Sequence, residues 1–315
     1  MKYCFLLLGL FWVFFGLSQE EELFQVSPRW KVGDHRKVHT ETSTKVIYDD
    51  SLVSNTRNVY DIQMKVLSTS DQYLMSYISK DFLGTYIVEK REGAKSASQD
   101  KFRAVLSEAE IEFGAAEFKI QIDQKTITAL EIKNGLEIAK KVEYHAKKKI
   151  KEWGELEHKS AEEILAVEME FGKEWAEIIP KIQQAILSKT TNLFSAYNLA
   201  FPMNSSIVQK VLTHDITASS KSDTLFPAEM KMETVEVNDK LIVKTNLDYD
   251  KEFLLTQLKK SYASLEKVAY KDVSIIEKEE IIFDLNSTWL LQHSTNLHFE
   301  IPGMKTMTKS VITFL

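Results

Sequence analysis

Cysteine is almost missing. The 315-residue chain holds one, Cys4, which rules out a disulfide framework, a cysteine–zinc site and a thiol nucleophile in anything downstream of it. Glycine is scarce too, at ten residues, and none of them build a phosphate-cradling loop. No serine sits in a Gly-x-Ser-x-Gly elbow. No His-Glu-x-x-His helix is present. An excess of basic residues is also lacking: the formal net charge is −6 at pH 7. Such a chain is repelled by phosphate backbones, so nucleic acid is excluded as a partner. With little proline or glycine and 44% hydrophobic residues, the composition is that of a folded globule.

What is present begins with an export leader. Lys2 supplies a positive start. Phe5 to Phe15 is apolar apart from Gly9, and Gly16-Leu17-Ser18 puts small residues at the −3 and −1 positions of a cleavage site. A bilayer span needs about 20 apolar residues, and this run is shorter and ends in Gln19-Glu20-Glu21-Glu22. Residues 1–18 are therefore expected to be a cleaved signal peptide, with no stable membrane span left behind. Cys4 precedes the apolar run, whereas a lipidated cysteine follows it. Removing 18 of 315 residues leaves 297, without cysteine, and losing Lys2 takes the charge from −6 to −7. The expected location is periplasmic or extracellular, and a chain of this length can bury a sizeable core.

Three stretches follow the leader. Residues 19–133 read as β-rich. Tyr60, Ile62, Met64 and Val66 alternate with polar residues, as do Tyr73, Met75 and Tyr77, the period of half-buried strands. Arg36 to Tyr48 suits a long strand. Lys119 to Ile132 reads as a hairpin about Asp123-Gln124-Lys125. Ser96 to Asp100 reads as a polar loop, and Phe102 to Phe113 fits helix or strand.

Residues 134–199 change period. Ile138, Val142, Ala146, Ile150 and Trp153 mark one helix face, with Asn134 as its expected cap. Ser160 to Glu163 has capping-box spacing ahead of Ile164, Val167, Phe171 and Trp175. Pro180 is expected to start or kink a third segment.

Residues 200–315 are expected to complete the sheet as an α+β half. Residues 200–225 read mostly as loop. Met230, Met232 and Thr234 alternate with polar residues. Asn238-Asp239 is a two-residue hairpin turn. Leu254, Leu258, Tyr262 and Leu265 mark one helix, and three strands close the chain, Glu280 to Asp284, Trp289 to Ile301 and Lys305 to Phe314, with a turn at Pro302-Gly303 between the last two. Helices segregated from hairpin-linked strands give an α+β class with antiparallel sheet, a central helical insertion and one further helix.

Trp30-Lys31-Val32-Gly33-Asp34 before a long strand resembles the opening of exported envelope proteins of Gram-negative bacteria that form a domain of unknown function. Ile281-Ile282-Phe283-Asp284, then Asn286-Ser287-Thr288-Trp289, resembles their closing segment, and the helical middle followed by Phe194 to Tyr197 also fits. The resemblance implies a curved, half-barrel-like sheet with helices packed on it, broadly similar to lipoprotein carriers. It carries over no functional residues.

Candidate sites are few. His35, His39 and Glu41 share one strand face, but they sit among Arg36, Lys37 and Lys45 and read as a solvated face rather than a metal site. His293 and His298 fall on opposite faces. Asp248, Asp250 and Glu252 suit a helix N-terminus. Lys147 to Lys151 is a solvated helix face. Asn204-Ser205-Ser206 and Asn286-Ser287-Thr288 match glycosylation acceptors, a pattern common by chance. Catalytic residues, metal and cofactor are expected to be none.

The candidate ligand-binding residues are the strand aromatics and methionines. They are Tyr60, Met64, Tyr73, Met75 and Tyr77 in the first half, and Met230 and Met232 in the second. On an open sheet they would line an apolar pocket; under helices they would be ordinary core. The expected function is a non-enzymatic exported protein that binds a lipid-like or other apolar ligand. The alternatives are a structural or protein–protein role in the envelope, and a hydrolase whose residues are dispersed.

Overall fold

Two-residue periodicity is converted into sheet almost throughout. The computed structural model describes residues 23–79, 97–203, 205–213, 225–261 and 268–315. The leader, Asn204 and the run Ser219 to Ser222 lie outside the described residues, as do Tyr262 and Leu265 of the expected helix stripe. The strands are β1 (Leu23–Gln25), β2 (His35–Tyr48), β3 (Ser51–Ser68), β4 (Tyr73–Ser79), β5 (Phe118–Ile122), β6 (Ala129–Ile132) and β7 (Ala200–Pro202). Then come β8 (Ser206–Thr213), β9 (Phe226–Val237), β10 (Lys240–Tyr249), β11 (Ser274–Asp284), β12 (Leu290–Ile301) and β13 (Met304–Phe314). The helices are α1 (Ala97–Gly114), α2 (Gly135–Leu156), α3 (Ala161–Leu193) and α4 (Lys251–Ser261).

The fold is α+β. Its main sheet is antiparallel, open and eleven-stranded, in the order β6-β5-β4-β3-β2-β13-β12-β11-β10-β9-β8, and β1 pairs with β7 in a second small sheet. The chain clusters into two compact units. One comprises residues up to Trp30, Val38–Val59 and Asn192–Leu315; the other comprises Lys31–Lys37 and Tyr60–Thr191.

In the unit containing Tyr60–Thr191, β3, β4 and β5 bury one face. Met64 opposes Tyr77, Val66 opposes Met75, and Tyr77 and Met75 oppose Phe118 and Ile120 on β5. The helix face on α2 steps through Ala139, Val142, Ala146, Ile150 and Gly154, so Ile138 and Trp153 lie at its margin. Trp175 on α3 stacks near Phe171, meets Phe113 edge-on, and donates its indole N–H to the Ala139 carbonyl at 3.2 Å. Ser160 and Glu163 form the expected capping box, with bonds of 2.7 and 3.2 Å.

Three expectations fail in this unit. Asn134 does not cap α2: its side chain accepts from the Lys119 N–H and donates to the Glu117 carbonyl, pinning the start of β5. Pro180 does not start a segment, because α3 runs through it from Ala161 to Leu193; of the expected start or kink, only the start is overturned. Burial of Phe171 and Trp175 before it and Ile182 and Ile186 after it holds the two sides in one helix. Residues 97–100 are helical rather than loop, and the ambiguous Phe102 to Phe113 lies in the same helix, α1.

In the other unit the core is aromatic. Trp30 stacks on Trp289 with ring centroids 4.7 Å apart and touches Phe194 and Tyr197 at 5.0 and 5.4 Å. Tyr197 packs on Phe283, and Phe314 closes the group against Phe194 and Trp289. The Tyr197 hydroxyl donates to the Thr288 carbonyl at 2.8 Å and accepts the Leu290 N–H at 2.7 Å. Thr288 has a positive φ of 57°, and its hydroxyl accepts the Arg29 N–H.

The Asn238-Asp239 turn forms with both residues at positive φ, 50° and 59°, the backbone a tight hairpin needs. Gly303, at φ 80°, turns β12 into β13. The stretch 200–225, expected to be mostly loop, contains β7 and β8. Pairing of β8 along β9 supplies the backbone bonds that its first residue, Ser206, and the preceding Ser205 do not forecast.

Candidate functional site

The seven candidate pocket residues divide between the two units. Tyr60, Met64, Tyr73, Met75 and Tyr77 belong to one, and Met230 and Met232 to the other. All but Tyr60 are buried. Met230 and Met232 oppose Leu247 and Thr245 on β10. Tyr60 is half-buried, with the Lys189 ammonium 4.5 Å from its ring centroid. Burial pushes that amine down to about 7.

An open groove lies elsewhere, on the exposed face of β11, β12, β13 and β2. Its volume is about 470 Å³, within the range of small-molecule sites. Strand register explains its composition. Lys278, Asn296, Lys309 and Ser43 are directly opposite one another across the four strands. Two residues along, Ile276, His298, Met307 and Lys45 form the next rung. Side chains alternate in direction along a strand, so both rungs share one face. Ile276 is 47% exposed. Leu297 and Thr308, which fall between the rungs, also border the groove.

The two rungs contain no acid. The acids beside them are already engaged. Glu300 accepts from His298 at 3.1 Å and pairs with Lys305 at 3.6 Å; the hydrogen bond from His298 and the charge of Lys305 hold its carboxyl below the usual range. Glu41 accepts from Arg57 at 2.9 Å, and that bond lowers its pKa. Glu280 lies 4.0 Å from Lys244. Lys45, Lys278 and Lys309 form no salt bridge among the described residues. The groove is thus a cationic, partly apolar surface on an acidic protein.

No protein-family model matches this chain, and no curated protein does either.

Behind the groove, the intervening residues of β11 point to the buried face. Glu277 is 3% exposed and accepts the Tyr249 hydroxyl. Burial, with the charge of Glu279 adding to it, pushes Glu277 up to about 7. Burial likewise pushes the Tyr249 phenol up. Glu279 bonds His293 Nε2 at 2.6 Å, while His293 Nδ1 is buried and makes no hydrogen bond. His293 and His298 do face opposite sides. Among the described residues no three His, Cys, Asp or Glu side chains converge to hold a metal ion.

Asp250 and two lysines of the Lys147 to Lys151 run have structural partners. Asp250 accepts the Phe253 N–H at the start of α4. Lys147 and Lys149 pair with Glu143 and Glu108 at 2.7 Å. The groove itself was missed because β2 pairs with β13, at the other end of the chain. The only trace in the sequence is lysine at outward positions of three separate strands. Among the described residues, no helix is long and apolar enough to cross a membrane.

Proposed function

We propose that this is an exported, non-enzymatic protein that binds a lipid-like amphiphile on its open sheet, in the groove across β2 and β11–β13. The observation that carries this reading is the interleaving of Ile276 and Met307 with cations in one concavity of about 470 Å³. Apolar surface gives such a site its affinity, and the few polar groups fix orientation. Exposed residues such as Ile276 are free to meet a ligand, whereas buried Met230 and Met232 are occupied by their own core.

The test is equilibrium binding of a fluorescent fatty-acyl probe to purified mature protein, alongside Ile276→Asp and Met307→Glu. Neither side chain is buried, so both variants are expected to fold. Saturable one-to-one binding is expected, weakened about tenfold or more by either charge, in line with losing one apolar contact and desolvating a carboxylate. Absence of saturable binding, or binding by both variants as tight as that of the unmodified protein, contradicts the proposal.

A further inference from the structure

The two rungs of the groove differ in a way that names the ligand's polar end. The first rung, Lys278-Asn296-Lys309-Ser43, is a row of hydrogen-bond donors with two ammonium groups. The second, Ile276-His298-Met307-Lys45, carries the apolar side chains of Ile276 and Met307 and the third lysine. Neighbouring strands are about 4.8 Å apart and alternate residues about 6.7 Å along a strand. The Lys278 and Lys309 backbones are therefore about 10 Å apart, and those of Lys309 and Lys45 about 8 Å apart. Flexible four-carbon stems from three such positions can bring their ammonium groups onto one small anion.

Three lysines without salt-bridge partners repel each other across the groove. The neighbouring acids do not relieve this, since Glu300, Glu41 and Glu280 have basic partners of their own. Glu41 reaches Lys309 only as a minor charge interaction behind its bond to Arg57. A ligand that supplies the missing negative charge gains most when it carries more than one unit. A phosphate monoester carries about −1.5 to −2 at neutral pH and offers three acceptor oxygens, whereas a carboxylate carries one charge on two oxygens.

Resting on the reading of this groove as the ligand site, we propose that its occupant is a phosphomonoester amphiphile. Its phosphate lies over Lys278, Asn296 and Lys309, reached also by Lys45, and its chain runs over Ile276 and Met307. Binding is non-covalent, and no bond is made or broken.

The experiment is isothermal titration calorimetry of the mature protein, below micellar concentrations, with dodecyl phosphate, dodecanoate, dodecyl maltoside and inorganic phosphate. Each is run at about 0.05 and 0.5 M salt, a range over which surface charge interactions are strongly screened. Dodecyl phosphate is expected to bind about tenfold or more tighter than the maltoside and the dodecanoate, and to lose that advantage at high salt. Lys278→Gln with Lys309→Gln is expected to abolish the advantage of dodecyl phosphate over the maltoside and the dodecanoate. Circular dichroism verifies that this variant is folded.

Equal binding of all three chains overturns the head-group assignment and leaves the groove reading standing. Equal binding of dodecanoate and dodecyl phosphate overturns the phosphomonoester class. Inorganic phosphate binding as tightly as dodecyl phosphate overturns the amphiphile. Binding of none of the four probes overturns both the assignment and the reading beneath it.

Discussion

A carboxyl group such as Glu277 keeps its proton when folding removes it from water, because the charged form loses its hydration. In the unfolded chain it ionises near 4.5, and in the folded protein near 7. Between those values the folded state holds more protons than the unfolded one, so this residue's contribution falls as pH rises through that window. The loss amounts to about 3 kcal/mol. Glu277→Gln cannot ionise and keeps an acceptor for Tyr249. Its stability relative to wild type is therefore expected to rise by about that amount between pH 4.5 and 8, read by urea unfolding at several pH values. Parallel profiles for the two proteins would contradict the burial argument. Tyr197 supplies a second residue-scale case. Its hydroxyl satisfies both the Thr288 carbonyl and the Leu290 N–H, and Tyr197→Phe leaves both buried groups unpaired. A cost of about 1–3 kcal/mol is expected in the same measurement.

Elements show which local signals were decisive. The Asn238-Asp239 turn and the Ser160–Glu163 box were legible because each needs only residues a few positions apart. Asn134 had the right residue type in the right place for a cap, yet its amide went to the backbone of Lys119 and Glu117, partners 15 and 17 residues away. Residues 200–225 looked like loop because serine punctuates them, and only pairing with β9 makes β8 a strand. The capping box carries its own prediction: Ser160→Ala is expected to cost about 1 kcal/mol, measured as a lowered melting temperature. Helix contact carries another. A Cβ on Gly154 of α2 would lie 2.5 Å from Ile164 Cγ1 on α3, so Gly154→Val is expected to destabilise by about 1–3 kcal/mol through overpacking. An unchanged melting temperature for Gly154→Val would mean that the two helices part without cost.

For the molecule as a whole, the class was readable and the candidate site was not. Alternation at Met64, Met75, Met230 and Met232 identifies strands and their buried faces. Periodicity cannot say whether a buried methionine meets a ligand or its own protein, and here each meets neighbouring strands of its unit. The groove depends on register across four strands drawn from both ends of the chain, which no local pattern encodes. Export remains part of the proposal, and it predicts that protein recovered from the cell envelope or medium begins at Gln19; N-terminal sequencing that returns Met1 would contradict it. The central claim is that an amphiphile sits on the outer face of β11–β13. Nuclear magnetic resonance of isotopically labelled protein with a spin-labelled acyl phosphate tests it most directly. Selective broadening of the amides of Ile276, Lys278, Asn296, His298, Met307 and Lys309 is the predicted result, and broadening centred on Met230 and Met232, or none at all, would contradict it.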